Sequence, residues 1–232
     1  MQNTGVKKNN FSEGILNYHE VFLSIQGEST GAGLPCVFIR LYGCNVKCSY
    51  CDQPQQRCDK HKISVEHLVQ KAMSFNCKNI CITGGEPLIQ SDAVYQLAME
   101  LAVDYNCKVA IETNGCTPIP DLPYHKNIKF VMDIKCPSSG VSEKNIYENL
   151  MFLRPCDEVK FVVGDREDYE FMKTVMRNYP TSAKLLISPV FKEVSGLFFV
   201  SPIAKDLVSW LIEDKLFNVR VQIQMHKILG VM

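Results

Sequence analysis

The sequence predicts an α/β fold, a partial (β/α)6 TIM-like barrel in a single domain over residues 1–232. Three observations predict it. Short β-branched runs alternate with helical patterns for most of the chain, which implies parallel strands joined by right-handed crossovers. About six such repeats fit in 232 residues, short of the roughly 250 that a closed barrel takes. The unusual polar residues, Thr83-Gly84-Gly85-Glu86-Pro87, Glu112-Thr113-Asn114-Gly115, Asp133-Ile134-Lys135 and Ser188-Pro189, fall where strands end. Parallel α/β folds bind their ligands at that edge.

The elements follow in order. Val37–Leu41 reads as a strand, and Val65, Leu68, Val69, Ala72 and Met73 recur at helical spacing behind a Ser64 cap. Asn79–Thr83 leads to Val94, Leu97, Ala98 and Leu101 after Ser91. Strands Lys108–Glu112, Lys129–Asp133 and Glu158–Val163 come next, then Phe171, Met172, Val175 and Met176 after Asp168. Lys184–Ser188 precedes Ile203, Leu207, Val208, Leu211 and Ile212, which follow Ser201 with Pro202 at the first helical position. Val219–Gln224 is the last strand, and the segment 219–232 is expected to close the site. No internal repeat, low-complexity tract or linker divides the chain.

Composition narrows the function classes. Lys+Arg and Asp+Glu both total 25, so no basic excess argues for direct contact with nucleic acid. The first twenty residues lack the apolar core of a secretory signal, and no later run could span a bilayer; the expectation is a cytoplasmic protein with no membrane partner. Eleven cysteines are many for such a chain, and the odd count fits a disulfide framework poorly. Cys36, Cys58, Cys77, Cys81, Cys107, Cys116, Cys136 and Cys156 stand singly and read as small buried hydrophobes.

Only the loop 43–52 has ligand spacing. Cys44, Cys48 and Cys51 form C-x3-C-x2-C just after a strand. Three thiolates can hold three irons of a 4Fe–4S cluster and leave the fourth open to the amino and carboxylate groups of S-adenosylmethionine (SAM). A zinc site with Cys58 or His61 as a further ligand is the competing reading. Gly84-Gly85-Glu86-Pro87 separates them: the glycines permit close approach to a ligand, and the Glu86 carboxylate can receive the methionine ammonium. The cysteine loop and this turn, in this order at adjacent strand ends, resemble the pairing found in radical SAM enzymes, so the barrel is expected to be of that type.

The resemblance extends further. Phe22-Leu23-Ser24-Ile25-Gln26-Gly27-Glu28, Phe38-Ile39-Arg40-Leu41-Tyr42-Gly43-Cys44-Asn45, the run 133–140 and Gln224-Met225-His226-Lys227 are similar to signatures of the 7-carboxy-7-deazaguanine synthase family. That family makes the 7-deazapurine core of queuosine, so the resemblance implies a small 7-deazaguanine-type substrate, a homodimer and a reductant such as flavodoxin or ferredoxin. It also implies substrate contacts at Ile25, Gln26, Gly27, Arg40 and Thr83. For SAM it implies Gly85, Asp133, Ile134, Lys135, Ser188 and the Tyr50 backbone. Elementary chemistry adds Glu112 or Glu28, either of which could accept the paired N–H donors of a guanine-like edge. Arg40 on an apolar strand needs a polar partner if buried, and His226 stands between a structural and a substrate role.

One position departs from the family. After the third cysteine and Asp52, where the family has the Thr or Ser hydroxyl that ligates Mg²⁺, this chain has Gln53. The longer carbonyl donor suits octahedral Mg²⁺ poorly and puts that metal in doubt. The sharpest expectation is therefore a queuine lyase, releasing 7-aminomethyl-7-deazaguanine by radical C–N cleavage, with Gln53 among the substrate contacts. The alternative is a 7-carboxy-7-deazaguanine synthase acting on 6-carboxytetrahydropterin. The third reading is a non-catalytic zinc or nucleotide-binding module.

Overall fold

Strand β1 (Ile15–Ile25) escapes a search for β-branched runs because ILNYHEVFLSI mixes polar residues through its length. It is half-buried, and pairs antiparallel with both β2 (Pro35–Leu41) and β3 (His61–Ser64). The computed structural model describes residues 14–53, 59–194 and 197–231; Cys58 and the segment 1–13 lie outside them. The remaining strands of the sheet are β4 (Asn79–Gly84), β5 (Lys108–Thr113), β6 (Ile128–Ile134), β7 (Glu158–Val163), β8 (Lys184–Pro189) and, after the small hairpin β9 (Phe191–Val194) and β10 (Leu197–Val200), β11 (Val219–Val221). Among the described residues the main sheet has nine strands in the order β11-β8-β7-β6-β5-β4-β2-β1-β3. From β2 to β11 every pairing is parallel, as the alternation predicts.

Four helices lie where the apolar spacing puts them. In α1 (Val65–Met73) the Ser64 hydroxyl accepts from His67 N at 3.4 Å, and Val65, Leu68, Val69 and Ala72 are buried. α2 (Ser91–Val103) begins at Ser91 itself. α3 (Arg166–Asn178) starts earlier than expected: Asp165 is the cap, its side chain accepting from Asp168 N at 2.9 Å. Asp168 is instead buried in the first turn, where it accepts from Ser138 and from Gly164 N. α4 (Ile203–Glu213) has Pro202, rather than Ser201, in the cap position. β11 is three residues long and stops short of Gln224, because the chain turns away into α5 (Met225–Leu229).

Two crossovers carry no α-helix. Between β5 and β6, Pro118, Pro120 and Pro123 remove the backbone donors a helix needs. Between β6 and β7 the chain makes only short 3-10 turns, Pro137–Ser139, Ser142–Lys144 and Tyr147–Met151. The outer face of β2, with Val37, Ile39 and Leu41 at most 1% exposed, belongs to the main core beneath α1 and α2. Its inner face carries Cys36, Phe38 and Arg40.

The sheet curls. Five strand steps separate β1 from β7, which a flat sheet would hold roughly 24 Å apart. Yet Glu28, just after β1, forms an ion pair with Lys160 of β7. The loop 26–34 is tied to the same strand, since Thr30 N donates to the fully buried Glu158 at 3.0 Å and Lys129 pairs with that carboxylate. The result is an open, partial barrel with its side gap crossed by the C-terminal segment. Met225 N donates to Gly27 O at 3.0 Å and Gln224 Nε2 to Glu28 Oε1 at 2.6 Å.

The single cysteines divide. Cys36, Cys81, Cys107 and Cys136 are buried as expected; Cys77 and Cys116 are half-buried, and Cys156 is exposed beside Asp157. No helix among the described residues is long and apolar enough to cross a membrane.

Candidate active site

The parallel strand ends and the loop 26–28 face one cleft of about 500 Å³. The loop after β2 brings Cys44, Cys48 and Cys51 to its rim, the first and third exposed and Cys48 half-buried. The turn 84–87 is pressed against this loop: Glu86 N donates to Gly43 O at 2.7 Å, and a Cβ on Gly85 would lie 1.8 Å from the same oxygen. No side chain fits there, so the glycine is required by the packing of one loop on the other. From the other side, Ser49 donates through N and Oγ to Ser139 O and Ser138 O at 2.9 and 2.7 Å. Asn114 Nδ2 stands 3.7 Å from Cys44 Sγ and donates to Asn45 Oδ1 at 2.8 Å. Burial pushes the Cys48 thiol up, and nearby Lys135 pulls it back.

The three thiols of this one loop are the number a 4Fe–4S cluster takes when one iron is left open to another ligand. His61, on β3, is exposed and tilted against the Tyr18 ring.

Asp133 and Lys135 line the wall beside the cysteines, with Lys135 Nζ donating to Asp133 Oδ2 at 2.6 Å. Lys160 Nζ reaches Asp133 Oδ1 at 3.1 Å. Burial pushes the Asp133 carboxyl up, but Lys135 and Lys160 outweigh it and hold the group below its ordinary value. For Lys135, burial pulls the ammonium down and Asp133 more than restores it. Tyr50 faces the same space with a buried hydroxyl that has no partner in the protein, as has the fully buried Ser188 Oγ. The orphaned Tyr50 hydroxyl beside the cysteine loop suits a polar ligand, whereas Ser188, expected to touch SAM, lies fully buried on β8 outside the cleft lining. Ile134 lies in the hydrophobic core and lines nothing.

Glu86 departs from its expected role. It is fully buried and outside the cleft lining. Oε1 accepts from Leu88 N at 2.9 Å and Thr113 Oγ1 at 2.8 Å, and Oε2 from Asn114 N at 2.6 Å. The carboxylate caps the turn Pro87–Gln90 and ties it to the end of β5. Burial pushes its carboxyl above the ordinary value despite these bonds.

Across the cleft, Glu112 accepts from Thr83 Oγ1 at 2.9 Å and from Gln26 Nε2 at 3.2 Å. Burial, then the neighbouring Glu28, raise its carboxyl, while Lys160 opposes them. Glu28 is itself held below its ordinary value, Lys160 and Gln224 overcoming the penalty of burial. Arg40 has the partner its position demands: Nη1 bonds Glu20 Oε1 at 2.7 Å, and the guanidinium lies over the Phe22 ring. A Cβ on Gly27 would sit 2.0 Å from His226 Nδ1, so this glycine admits the histidine against the backbone. Burial lowers the His226 pKa below its ordinary value. Ile25 and Gln53 also line the cleft, and Lys227 reaches Asp52 at 3.3 Å.

Comparison with known proteins agrees with this geometry. Residues 38–133 match the model of the radical SAM superfamily. A 7-carboxy-7-deazaguanine synthase of Methanospirillum hungatei is 40% identical over 211 residues, covering 91% of this chain and 84% of the relative. One from Koribacter versatilis is 37% identical over 218 residues, with coverages of 90% and 94%. The chain belongs to the 7-carboxy-7-deazaguanine synthase family. The crystal structure of QueE from Escherichia coli shares the fold, with a TM-score of 0.72 at 22% identity over 91% of this chain and 95% of that one. Streptococcus suis SuiB bound to S-adenosylmethionine superimposes more loosely, with a TM-score of 0.53 at 14% identity over 78% and 48%.

The protein is thus a radical SAM enzyme of 7-deazaguanine metabolism, with a 4Fe–4S cluster and SAM as its cofactors. Cys44, Cys48 and Cys51 are the thiols in place to hold the cluster. Sequence reasoning missed Lys160 and Glu20, and placed Asn114 at the ligand-binding strand edge without giving it a role. Lys160 had a signal, a lysine flanked by Val159 and Phe161 inside the EVKFVV strand; Glu20 had none, because β1 itself was not recognised.

Proposed function

We propose that the cleft binds a bicyclic base through its 2-amino-4-oxopyrimidine edge and that the chain is a 7-carboxy-7-deazaguanine synthase acting on 6-carboxytetrahydropterin. The observation that supports this most directly is Glu112, whose two oxygens are oriented by Gln26 and Thr83 in the same cleft as the cysteine loop. A carboxylate held in this way can accept the adjacent N–H donors of such an edge. When bound beside Cys44, Cys48 and Cys51, the cluster and SAM would supply 5′-deoxyadenosyl radical chemistry. Asp133 and Lys135 form the cofactor wall, with the Tyr50 hydroxyl as a further contact. Arg40, backed by Glu20, presents a cation toward the base. His226, seated on Gly27, brings the C-terminal segment over the cleft and keeps water from the reacting atoms.

A second reading rests on Gln53. At the position where the family has a hydroxyl ligand for Mg²⁺, its amide can hydrogen-bond a diol instead, which favours a queuine lyase that turns over without the metal. Reduced holoenzyme incubated with SAM and either base, with products read by mass spectrometry, distinguishes the two. Conversion of 6-carboxytetrahydropterin to 7-carboxy-7-deazaguanine is the expected result. Release of 7-aminomethyl-7-deazaguanine from queuine, with the pterin untouched, selects the lyase. If both bases come back unchanged while SAM is cleaved, both readings fall. A homodimer and a flavodoxin- or ferredoxin-like reductant complete the proposal, by analogy with the family.

A further inference from the structure

Lys160 is assigned to neither ligand by the family resemblance, yet its Nζ touches the carboxylates of both halves of the cleft. It pairs with Glu28, on the base side, and lies 3.1 Å from Asp133 Oδ1, on the cofactor side. Its side chain is 10% exposed. Each carboxylate has a second partner of its own: Lys135 Nζ at 2.6 Å for Asp133, and Gln224 Nε2 at 2.6 Å for Glu28. Those partners belong to different elements, the end of β6 and the C-terminal segment. Lys129 of β6 also ties down the loop 26–34, its Nζ donating to Thr30 Oγ1 at 3.0 Å, but among the described ion pairs only those of Lys160 touch both Glu28 and Asp133. Two buried carboxylates sharing one ammonium cannot be neutralised independently, because a change at either alters the charge the lysine has left for the other.

We propose that Lys160 is a positioning residue that couples base binding to SAM binding, by holding Glu28 and Asp133 on a single ammonium. The inference rests on the assignment of Asp133 to the cofactor side and Glu28 to the base side. It does not depend on which base is the substrate. Neutralising Glu28 leaves the ammonium wholly to Asp133 and draws that carboxylate away from a ligand.

A double-mutant cycle read on SAM alone tests this. Reconstituted holoenzyme carrying Glu28→Gln, Lys160→Met or both is titrated with SAM, with iron content and thermal melting recorded alongside. The expected result is that Glu28→Gln weakens SAM binding several-fold, although Glu28 is not on the cofactor side. Lys160→Met removes the ammonium's pull on Asp133 and should tighten SAM binding, by up to the order of tenfold, within the usual range of coupling between sites. Adding Glu28→Gln to Lys160→Met should then change nothing further. A merely structural lysine would lower the melting temperature and leave the two effects additive. Should Lys160→Met lose its iron, Lys160→Arg supplies the second background: it keeps the charge, and Glu28→Gln must still act on SAM. SAM affinity unchanged by Glu28→Gln, or additive effects in the cycle, overturns the proposal. Because no base is present, failure of both bases to turn over condemns the functional reading without touching this one.

Discussion

Replacing Glu86 with alanine should unfold the protein more easily before it affects any cofactor. The carboxylate takes two backbone N–H groups, of Leu88 and Asn114, and the Thr113 hydroxyl, all in buried residues. Alanine leaves both N–H groups without an acceptor, at about 1–3 kcal/mol each. Removing a buried charge returns part of its desolvation, since burial already pushes this carboxyl upward. The net expectation is the lower half of that range, about 2–4 kcal/mol. In a domain of this size that lowers the melting temperature by roughly 5–15 °C. The assay is a circular-dichroism melt of the apoprotein, without SAM or iron, so that ligand binding cannot contribute. Asn114 also stands beside Cys44, so iron uptake at 37 °C should fall with stability. An apoprotein that melts with the wild type, combined with weakened SAM binding, would show that Glu86 faces the cofactor and that its hydrogen bonds are incidental.

Gly27→Ala should displace His226, because the new Cβ would meet Nδ1 at 2.0 Å. The KM for the base should rise at least about tenfold with a smaller change in kcat, and an unchanged KM would show that the histidine does not cover the site. Glu28 and Asp133 have folded pKa values below their unfolded ones near 4.5 and 3.8. The stability they contribute is therefore present above those values and lost as pH falls through the folded values. Near-UV circular dichroism should hold to about pH 4 and collapse below it, and a shallower acid limb in Asp133→Asn is expected; identical limbs would refute the contribution. Cys116→Ala should leave iron content unchanged, since its Sγ is engaged by Asn114 O at 3.5 Å and its thiol is pushed up to about 11 by burial. A lost iron would make it a ligand.

Much of the architecture is legible in the chain because parallel strands buried on both faces must be apolar. The runs at 79–83, 108–112 and 158–163 carry apolar centres at Ile80–Ile82, Val109–Ile111 and Phe161–Val163 and lie within a residue or two of the observed strands. β1 was illegible for the opposite reason: as an antiparallel strand paired to β2 and β3 it keeps His19, Glu20 and Ser24 among its apolar residues. The cysteine loop declares itself as a metal-binding segment by its spacing, and only together with the turn 84–87 as a cluster loop rather than a zinc site. The charged residues do not, because their meaning depends on distant partners. Lys160 is explained by Glu28, 132 positions away, and Arg40 by Glu20 on the unrecognised strand. Glu86 shows the limit most sharply. A carboxylate at a strand end looks the same in sequence whether it meets a ligand or caps the backbone, and only the positions of Leu88 N and Asn114 N separate the cases.

The central claim is that Cys44, Cys48 and Cys51 hold an iron–sulfur cluster at the rim of a cleft built for SAM and a base. Anaerobic reconstitution followed by iron analysis and reduction in the presence of SAM tests it most directly. The expected result is a brown protein with about four irons per chain that releases 5′-deoxyadenosine, both lost when any of the three cysteines becomes alanine. A colourless protein that keeps one tightly held zinc and leaves SAM intact would contradict it.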